Sequence, residues 1–173
     1  MRLIIRPPTV DDALAMGAAH VAAWQAAYRG TMSDTYLDGL QPADRASMWA
    51  AAIGAPVVGQ HVVVAEYDTS VVGFAAFGPA TAVNSSAQIG ELYAINIHPT
   101  SWGRGIGRAL VRDVAEKLQQ IGFSSAVLWV VPGNSRARSL YESESWCADG
   151  MSRQDVVLGA TVDEIRYARS LKV

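Results

Sequence analysis

The fold is set by one stretch of the sequence, Glu91-Leu92-Tyr93-Ala94-Ile95-Asn96-Ile97-His98-Pro99 followed by Thr100-Ser101-Trp102-Gly103-Arg104-Gly105-Ile106-Gly107-Arg108-Ala109-Leu110. The apolar-rich run up to Ile97 predicts a strand that ends at His98-Pro99, because a residue before proline disfavours the helical conformation. Apolar residues then recur at helical spacing over Ile106–Ile121, and Gly122 supplies a stop. The stretch therefore predicts a strand, a tight glycine-rich turn and a helix.

The glycine-rich turn has the features of a phosphate site. Glycines at 103, 105 and 107 let the backbone approach a bulky ligand, and free N–H groups at a helix N-terminus bind phosphate oxygens with help from the helix dipole. Arg104 and Arg108 add positive charge, which favours an anion or a carboxylate nearby. The spacing matches neither the Gly-Lys-Ser/Thr phosphate loop nor the dinucleotide pattern. Trp102 to Arg108 is thus predicted to bind a pyrophosphate, unless the turn merely connects a strand to a helix.

The remaining sequence alternates between strand and helix patterns. A first strand is predicted at Leu3–Arg6 and a helix at 10–28, begun by a Thr9/Asp12 capping pair. More helix is predicted within 33–53, with a second start at Pro42. A polar loop around Asn84-Ser85-Ser86 precedes the motif strand, predicted over 88–97. The other predicted elements are a hairpin of strands at 61–67 and 71–77, a strand at 126–131, a helix at 134–143 and two final strands at 155–158 and 162–169.

The composition excludes several classes of protein. The 173 residues are 50% hydrophobic and 17% charged, which predicts one soluble globular domain over 1–173. A net charge of −2 argues against a nucleic-acid partner, which needs a clustered excess of Lys and Arg. The single cysteine, Cys147, cannot form an internal disulfide, and three scattered histidines give no metal site. No apolar run reaches the roughly 18 residues of a membrane span, so we expect a cytoplasmic protein without a membrane partner.

The turn resembles the motif of the GNAT superfamily of N-acetyltransferases, Gln/Arg-x-x-Gly-x-Gly/Ala between the fourth strand and the following helix. Arg104-Gly105-Ile106-Gly107 occupies its last four places, while Trp102 stands where Gln or Arg is usual. A second family pattern, Asn-x-x-Ala-x-x-Leu-Tyr, is matched by Asn134-Ser135-Arg136-Ala137-Arg138-Ser139-Leu140-Tyr141, and residues 24–30 are similar to the first substrate-side helix of bacterial members. Glu144-Ser145-Trp146 departs from the family's apolar residue, Gly and Phe, which predicts a less well capped helix exit.

This resemblance implies an α/β (α+β) fold with a mixed, mostly antiparallel central sheet flanked by helices. It also implies acetyl-CoA as cosubstrate and a primary amine as acceptor, and it leaves a homodimer open. The backbone of Ile95 and Ile97 would pair with the pantetheine arm as an added strand. The other expected cofactor contacts are Asn96, Gly103, Arg104, Gly105, Ile106, Gly107, Arg108, Asn134 and Tyr141. Asn96 could instead face the substrate or bind a loop, and Asn134 already has a structural role as a helix cap.

Two residues are candidates for catalysis. Tyr141 lies about two helical turns beyond Asn134, which can place its hydroxyl near the thioester sulfur as a general acid. An amine acceptor is mostly protonated at neutral pH and needs a base. The resemblance points to Glu91 for this role, acting directly or through water, with His98 and Tyr93 as alternatives. The competing interpretations are a half-buried core tyrosine for Tyr141 and an exposed carboxylate at a strand end for Glu91.

The acceptor is not identified by the sequence. Trp24, Tyr28 and Tyr36, with Trp49, could line its pocket, although aromatic residues at helical spacing are more often core. A covalent route through Cys147 is disfavoured because no histidine stands beside it. Two other interpretations stay open, namely a CoA-binding module that catalyses nothing and a nucleotide-binding protein that uses the same turn.

Overall fold

The structure is a computed structural model that describes residues 2–81, 88–157 and 160–172. Along the described chain the strands are β1 Leu3–Arg6, β2 His61–Tyr67, β3 Ser70–Pro79, β4 Ile89–Ile97, β5 Ser125–Val130, β6 Cys147–Val157 and β7 Ala160–Ser170. The helices are α1 Ala13–Tyr28, α2 Asp34–Gly39, α3 Pro42–Gly54, α4 Ile106–Ile121 and α5 Ser135–Ser143. Short 3-10 turns at Val10–Asp12 and Pro99–Ser101 precede α1 and α4.

The strands form one sheet in the order β1-β2-β3-β4-β5-β7-β6. Neighbouring strands are antiparallel except for β4 and β5, which are parallel, so the predicted mixed and mostly antiparallel sheet is confirmed. The β4–β5 pairing extends only from Ile89 and Ser125 to Leu92 and Leu128. Both strands continue beyond those residues without pairing to each other, so a crevice opens between them.

A β-bulge in β4 decides which side chains face each side of the sheet. Phe77 of β3 is opposite Leu92 and Ala76 is opposite Ala94, which leaves Tyr93 as the extra residue. Leu92, with Ile95 and Ile97, packs in the core cluster that contains α4. Tyr93 and Ala94 pack in the cluster that contains α1 and α3 residues. Because side chains alternate along a strand, Asn96 also faces the α1 side.

Helix α4 matches its predicted bounds and fixes the glycine-rich turn against the sheet. Ile106, Leu110, Val114 and Leu118 are buried as the helical stripe predicts. Ile121 is the exception, since its side chain is 49% exposed at the last turn. Gly122 follows with a φ of 113°, the left-handed conformation that favours glycine at a helix end.

Two predictions of local structure need correction, and one is confirmed. The segment predicted as helical over 33–53 forms α2 and α3 with the predicted second start at Pro42, and Leu40 adopts an extended backbone between them. Leu14 is 76% exposed, since Ala13 and Met16 supply the buried face of α1 at that point. Strand β6 begins at Cys147, well before the predicted 155, because it pairs with β7 across an irregular register. The predicted loop at 84–86 and the end of the predicted strand at Leu158 lie outside the described residues.

The exit of α5 is capped, contrary to the prediction from its unusual sequence. The Trp146 N–H donates to Tyr141 O at 3.0 Å, and the Ser145 N–H donates to Glu142 O at 3.2 Å. This is the hydrogen-bond pattern of a Schellman motif, with Ser145 at φ 64° in the place where glycine is usual. Trp146 then closes the helix end as a fully buried core residue.

Candidate active site

The crevice between β4 and β5 has a volume of about 910 Å³, within the range of small-molecule sites. One wall is β4 from Leu92 to Ile97 with the glycine-rich turn, and the other is the end of β5 with α5. Helix α1 contributes Trp24 and Tyr28 on one side of the sheet. The predicted residues that line it are Trp24, Tyr28, Ile95, Asn96, Ile97, Gly103, Gly105, Ile106, Gly107, Arg108, Asn134 and Tyr141. The sheet therefore brings most of the predicted site together.

The glycine-rich turn presents its backbone amides to the crevice mouth. Gly103 and Gly105 have φ values of 77° and 79°, and a Cβ atom at either position would meet nothing within 4 Å. Along the described chain, the structure records no hydrogen-bond acceptor for the N–H groups of residues 103 to 108. A row of open amides at the start of a 16-residue helix is suited to bind a phosphate group.

Gly107 is needed for a different reason. A Cβ atom there would lie 3.0 Å from Leu140 Cδ2 and 3.2 Å from Ile97 Cδ1. The first turn of α4 therefore packs closely against both β4 and α5. This contact sets the distance between the turn and the helix that carries Tyr141.

A buried carboxylate holds Arg108, one of the two arginines of the turn. Glu144 Oε1 lies 3.0 Å from Arg108 Nε, and Glu144 Oε2 accepts a 2.6 Å hydrogen bond from Arg112 Nε. The Glu144 side chain is only 5% exposed, so the two guanidinium groups compensate its burial. Arg104 instead lies over the Tyr67 ring, with 5.4 Å between its guanidinium carbon and the ring centre. The sequence departure at Glu144 is thus explained by its ion pairs.

Trp102, at the place of the family's Gln or Arg, joins the two walls of the crevice. Its indole N–H donates to Ile97 O at 2.8 Å, at the end of β4. The Arg136 guanidinium of α5 stacks over its ring, with 4.2 Å from the guanidinium carbon to the ring centre. Trp102 therefore packs between β4 and α5, in place of the side-chain contact that the family's Gln or Arg makes.

Tyr141 is a buried residue of the crevice wall, with 6% of its surface exposed. Burial raises the pKa of its phenol far above the ordinary value of 10, and nearby Tyr28 adds to this effect. The hydroxyl therefore stays protonated over the whole neutral range. A neutral phenol in a desolvated crevice can donate a proton to a developing anion.

The remaining predicted cofactor and acceptor residues differ in whether they line the crevice. Asn134, Tyr28 and Trp24 line it, and Tyr36 does not. Asn134 caps α5 by accepting the Ala137 N–H at 3.1 Å, as predicted. Burial raises the pKa of Tyr28, an effect that a hydrogen bond from Asn134 partly offsets. Trp24 is buried in the cluster beneath α2 and also lines the crevice. Tyr36, predicted to line the acceptor pocket, instead packs against that cluster and does not line the crevice.

The predicted base Glu91 is placed differently from the other residues. It is buried, and its Oε2 accepts hydrogen bonds from the Thr81 N–H at 2.9 Å and the Thr81 hydroxyl at 3.2 Å. Glu91 does not line the crevice. Burial raises the pKa of the adjacent Tyr93 to about 12, and the charge of Glu91 contributes to this rise. Tyr93 itself donates its hydroxyl proton to Pro79 O. Glu91 therefore lies one step along the strand from the crevice.

A second acidic residue, Glu164 of β7, was missed by sequence reasoning. It is 8% exposed and lines the crevice on the α1 side, together with Trp129 of β5. Glu164 lies opposite Arg153 of β6 in the sheet register. The only sequence signal was a charged residue two positions from Val162 in a predicted strand, where alternation places both on one face.

Among the described residues no helix is long and apolar enough to cross a membrane. Within the same residues no cluster of three or more His, Cys, Asp or Glu side chains could hold a metal ion.

Comparisons with known proteins agree with this geometry. The model of the Acetyltransferase (GNAT) family matches residues 22–145. The chain is 32% identical over 130 residues to the uncharacterized N-acetyltransferase YuaI of Bacillus subtilis, which covers 75% of this chain and 72% of that protein. It is also 41% identical over 71 residues to a mycothiol acetyltransferase of Kocuria rhizophila, but that match spans only 23% of the longer relative.

Solved structures share the fold at low sequence identity. A PaiA N-acetyltransferase from Thermoplasma acidophilum in complex with coenzyme A superposes with a TM-score of 0.74 and 16% identity, covering 98% of this chain and 99% of that one. YncA of Salmonella typhimurium, a putative acetyltransferase with acetyl-CoA, has a TM-score of 0.68 and 20% identity, with 98% and 94% covered. These similarities concern the fold, and both of these structures hold the coenzyme.

Proposed function

Because the chain belongs to the acetyltransferase (GNAT) family, we propose that it transfers an acetyl group from acetyl-CoA to a primary amine. One observation carries this proposal: open backbone amides and a buried, protonated tyrosine line the same crevice between β4 and β5. The amides suit the diphosphate of a coenzyme, and the tyrosine suits the chemistry at its far end.

The residues present fit acetyl-CoA as cosubstrate. The N–H groups of residues 103 to 108 would hold the diphosphate, helped by the α4 dipole. Beyond Leu92 the edge of β4 that faces β5 pairs with no strand, so the backbone of Ile95 and Ile97 can bind the pantetheine arm as an added strand, with Ile97 O already accepting from the Trp102 indole N–H. The PaiA and YncA structures, which hold coenzyme A and acetyl-CoA, share this fold.

The reaction is a direct transfer in a ternary complex. The amine nitrogen forms a bond to the acetyl carbon while the bond from that carbon to sulfur breaks. Tyr141 donates its proton to the departing thiolate and regains one from the nitrogen of the adduct. The proton that the ammonium loses beforehand passes to a base and then to solvent. Since Glu91 does not line the crevice, its predicted role as this base requires a water relay.

Release of free thiol from acetyl-CoA tests the proposed function. The purified protein is assayed with a panel of alkylamines, amino acids, aminoglycosides, polyamines and peptide N-termini. We expect amine-dependent release of CoA and an acetylated product by mass spectrometry. Failure of every amine in the panel, with acetyl-CoA bound, would favour a CoA-binding module without catalysis.

Thermal shifts separate coenzyme binding from nucleotide binding. A ligand at about 100 times its Kd stabilises the folded protein by roughly 2.7 kcal/mol. We expect acetyl-CoA and CoA to raise the melting temperature much more than ATP. Stabilisation by ATP alone would refute the coenzyme site and favour a nucleotide-binding protein. A cytoplasmic location and a homodimer, which fractionation and light scattering address, stay predictions from the sequence.

A further inference from the structure

The Glu164 carboxylate lines the α1 side of the crevice, and along the described chain only one of its two oxygens has a recorded partner. Glu164 Oε2 accepts from Arg153 Nε at 2.8 Å and lies 2.8 Å from a second nitrogen of the same guanidinium. Within 2–81, 88–157 and 160–172 the structure records no hydrogen bond or ion pair to Glu164 Oε1. The residue is 8% exposed, and it lines the crevice. One carboxylate oxygen of this buried residue is therefore available to a ligand there.

The local charge is negative. Arg153 is shared between Glu164 and Asp155, whose Oδ2 lies 3.1 Å from the same guanidinium. Two carboxylates on one guanidinium leave this cluster with one net negative charge. The neighbouring cation, Arg166, is paired with Asp149 at 2.7 Å. An extra positive group would complete the charge balance at Glu164.

The two cations that line the crevice lie elsewhere, while Arg153 is already shared by two carboxylates. Arg108 and Arg136 are its positively charged lining residues, and both belong to the turn and α5 at the coenzyme end. Arg108 is also paired with Glu144 at 3.0 Å. A carboxylate bound beside Glu164 would face a like charge without a free cation to balance it.

Aromatic rings line the same crevice as the carboxylate. Trp24 and Tyr28 of α1 pack edge to face, with ring centres 5.0 Å apart, and Trp129 of β5 lines the same part of the crevice. Burial is the main effect that raises the pKa of Tyr28, and the charge of Glu164 contributes to it. The charge of Glu164 is therefore felt at the aromatic wall. Aromatic faces attract cations and pack well against apolar groups.

On the premise of the acetyl transfer described above, we propose that Glu164 Oε1 binds the ammonium group of the acceptor. The acceptor is a primary amine with an apolar body and without a carboxylate. Glu164 thereby determines specificity through its charge, while the rings of Trp24, Tyr28 and Trp129 contact the apolar body.

Three probes that share a phenylethyl group test this proposal. Phenethylamine has the ammonium and the apolar body, phenylalanine adds a carboxylate, and 2-phenylethanol replaces the ammonium by a neutral hydroxyl. Calorimetric titration of each probe into the CoA-saturated protein compares wild type with Glu164→Gln, which keeps the shape and an acceptor for Arg153. Asp155→Asn is the matched control, since it removes the other carboxylate on Arg153 and does not line the crevice.

We expect phenethylamine to bind the wild type more tightly than phenylalanine. In Glu164→Gln its affinity should fall by about ten- to a hundredfold, the range for a hydrogen bond to a charged group. The affinity for 2-phenylethanol should not change. Asp155→Asn removes one charge of the cluster but no group that lines the crevice, so it should weaken phenethylamine binding much less than Glu164→Gln does. A purely structural role of Glu164 would instead weaken the binding of the neutral alcohol as well.

Several outcomes would overturn the inference. These are equal binding of phenethylamine by wild type and Glu164→Gln, binding of phenylalanine as tightly as phenethylamine, and no binding of phenethylamine at all. Acetyl transfer to other amines by the wild type would then leave the proposed function standing. Conversely, Glu164-dependent binding of phenethylamine without acetyl transfer to any amine would support the ammonium site and refute the proposed function.

Discussion

The rings of Tyr141 and Tyr167 lie 6.2 Å apart, yet of the two only Tyr141 lines the crevice. The Tyr167 hydroxyl is occupied, since it donates to Glu142 at 2.6 Å and accepts from Arg138 at 3.0 Å. Tyr141 and Tyr167 are both buried, so they form a matched pair of tyrosines with different access to a bound thioester.

Tyr141→Phe is expected to lower kcat by roughly 10²-fold or more, because general acid catalysis contributes about that much. The Kd for acetyl-CoA, measured by calorimetry, should change little because the ring remains. Tyr167→Phe is the control and should leave kcat near the wild-type value. Unchanged turnover in Tyr141→Phe would remove this residue from the mechanism.

Gly105→Ala is expected to weaken coenzyme binding. Its φ of 79° is left-handed, where a side chain costs about 1–2 kcal/mol, so the alanine variant strains the turn and turns its amides away. Calorimetry should show a higher Kd for CoA, and urea unfolding a lower stability. Gly54→Ala is the matched control because that position is also open but has no left-handed φ. An unchanged Kd for CoA in Gly105→Ala would count against the phosphate role of the turn.

Glu91→Gln tests the water relay. If Glu91 accepts the ammonium proton through water, kcat should fall by roughly 10²-fold near neutral pH, with a smaller effect on the KM for acetyl-CoA. Glutamine keeps an oxygen that can accept from Thr81, so the fold should persist. Glu116→Gln, on the exposed face of α4, is the control. A Glu91→Gln enzyme with full turnover would make Glu91 a structural residue of β4.

His20 predicts how stability depends on pH. Burial lowers its pKa from 6.5 to about 4, and the charge of Arg45 acts in the same direction. The unfolded chain then binds more protons between these values, so stability falls as the pH drops from 6.5 towards 4. The loss should approach about 3 kcal/mol, at about 1.4 kcal/mol for each pKa unit.

Urea unfolding at several pH values measures this loss. In His20→Gln the slope between pH 6.5 and 4 should become shallower, while an oxygen can still accept from the Trp49 indole N–H, now 3.2 Å from His20 Nδ1. His98→Gln, in the loop before α4, should keep the wild-type slope. The same slope in His20→Gln as in wild type would contradict the assignment.

The amino-acid sequence alone predicts the strand, turn and helix around the glycines at 103, 105 and 107. These features are local, because backbone conformation, helix spacing and proline breaks depend on residues close in the chain. The same holds for Asn134, which caps α5 as its sequence pattern predicts. The family motifs added the expectation that the turn binds acetyl-CoA, and the fold comparisons support this expectation.

The set of side chains that meet at the crevice follows from the three-dimensional arrangement of the strands. The bulge at Tyr93 changes the side of the sheet that β4 residues face, which sequence alternation alone does not reveal. The bulge turns Asn96 to the α1 side of the crevice, whereas Glu91 lies outside it because β4 still pairs with β5 there. The pairing of β7 with β5 brings Glu164 beside α1. Contacts between strands far apart in the chain depend on register, and register is a property of the folded sheet.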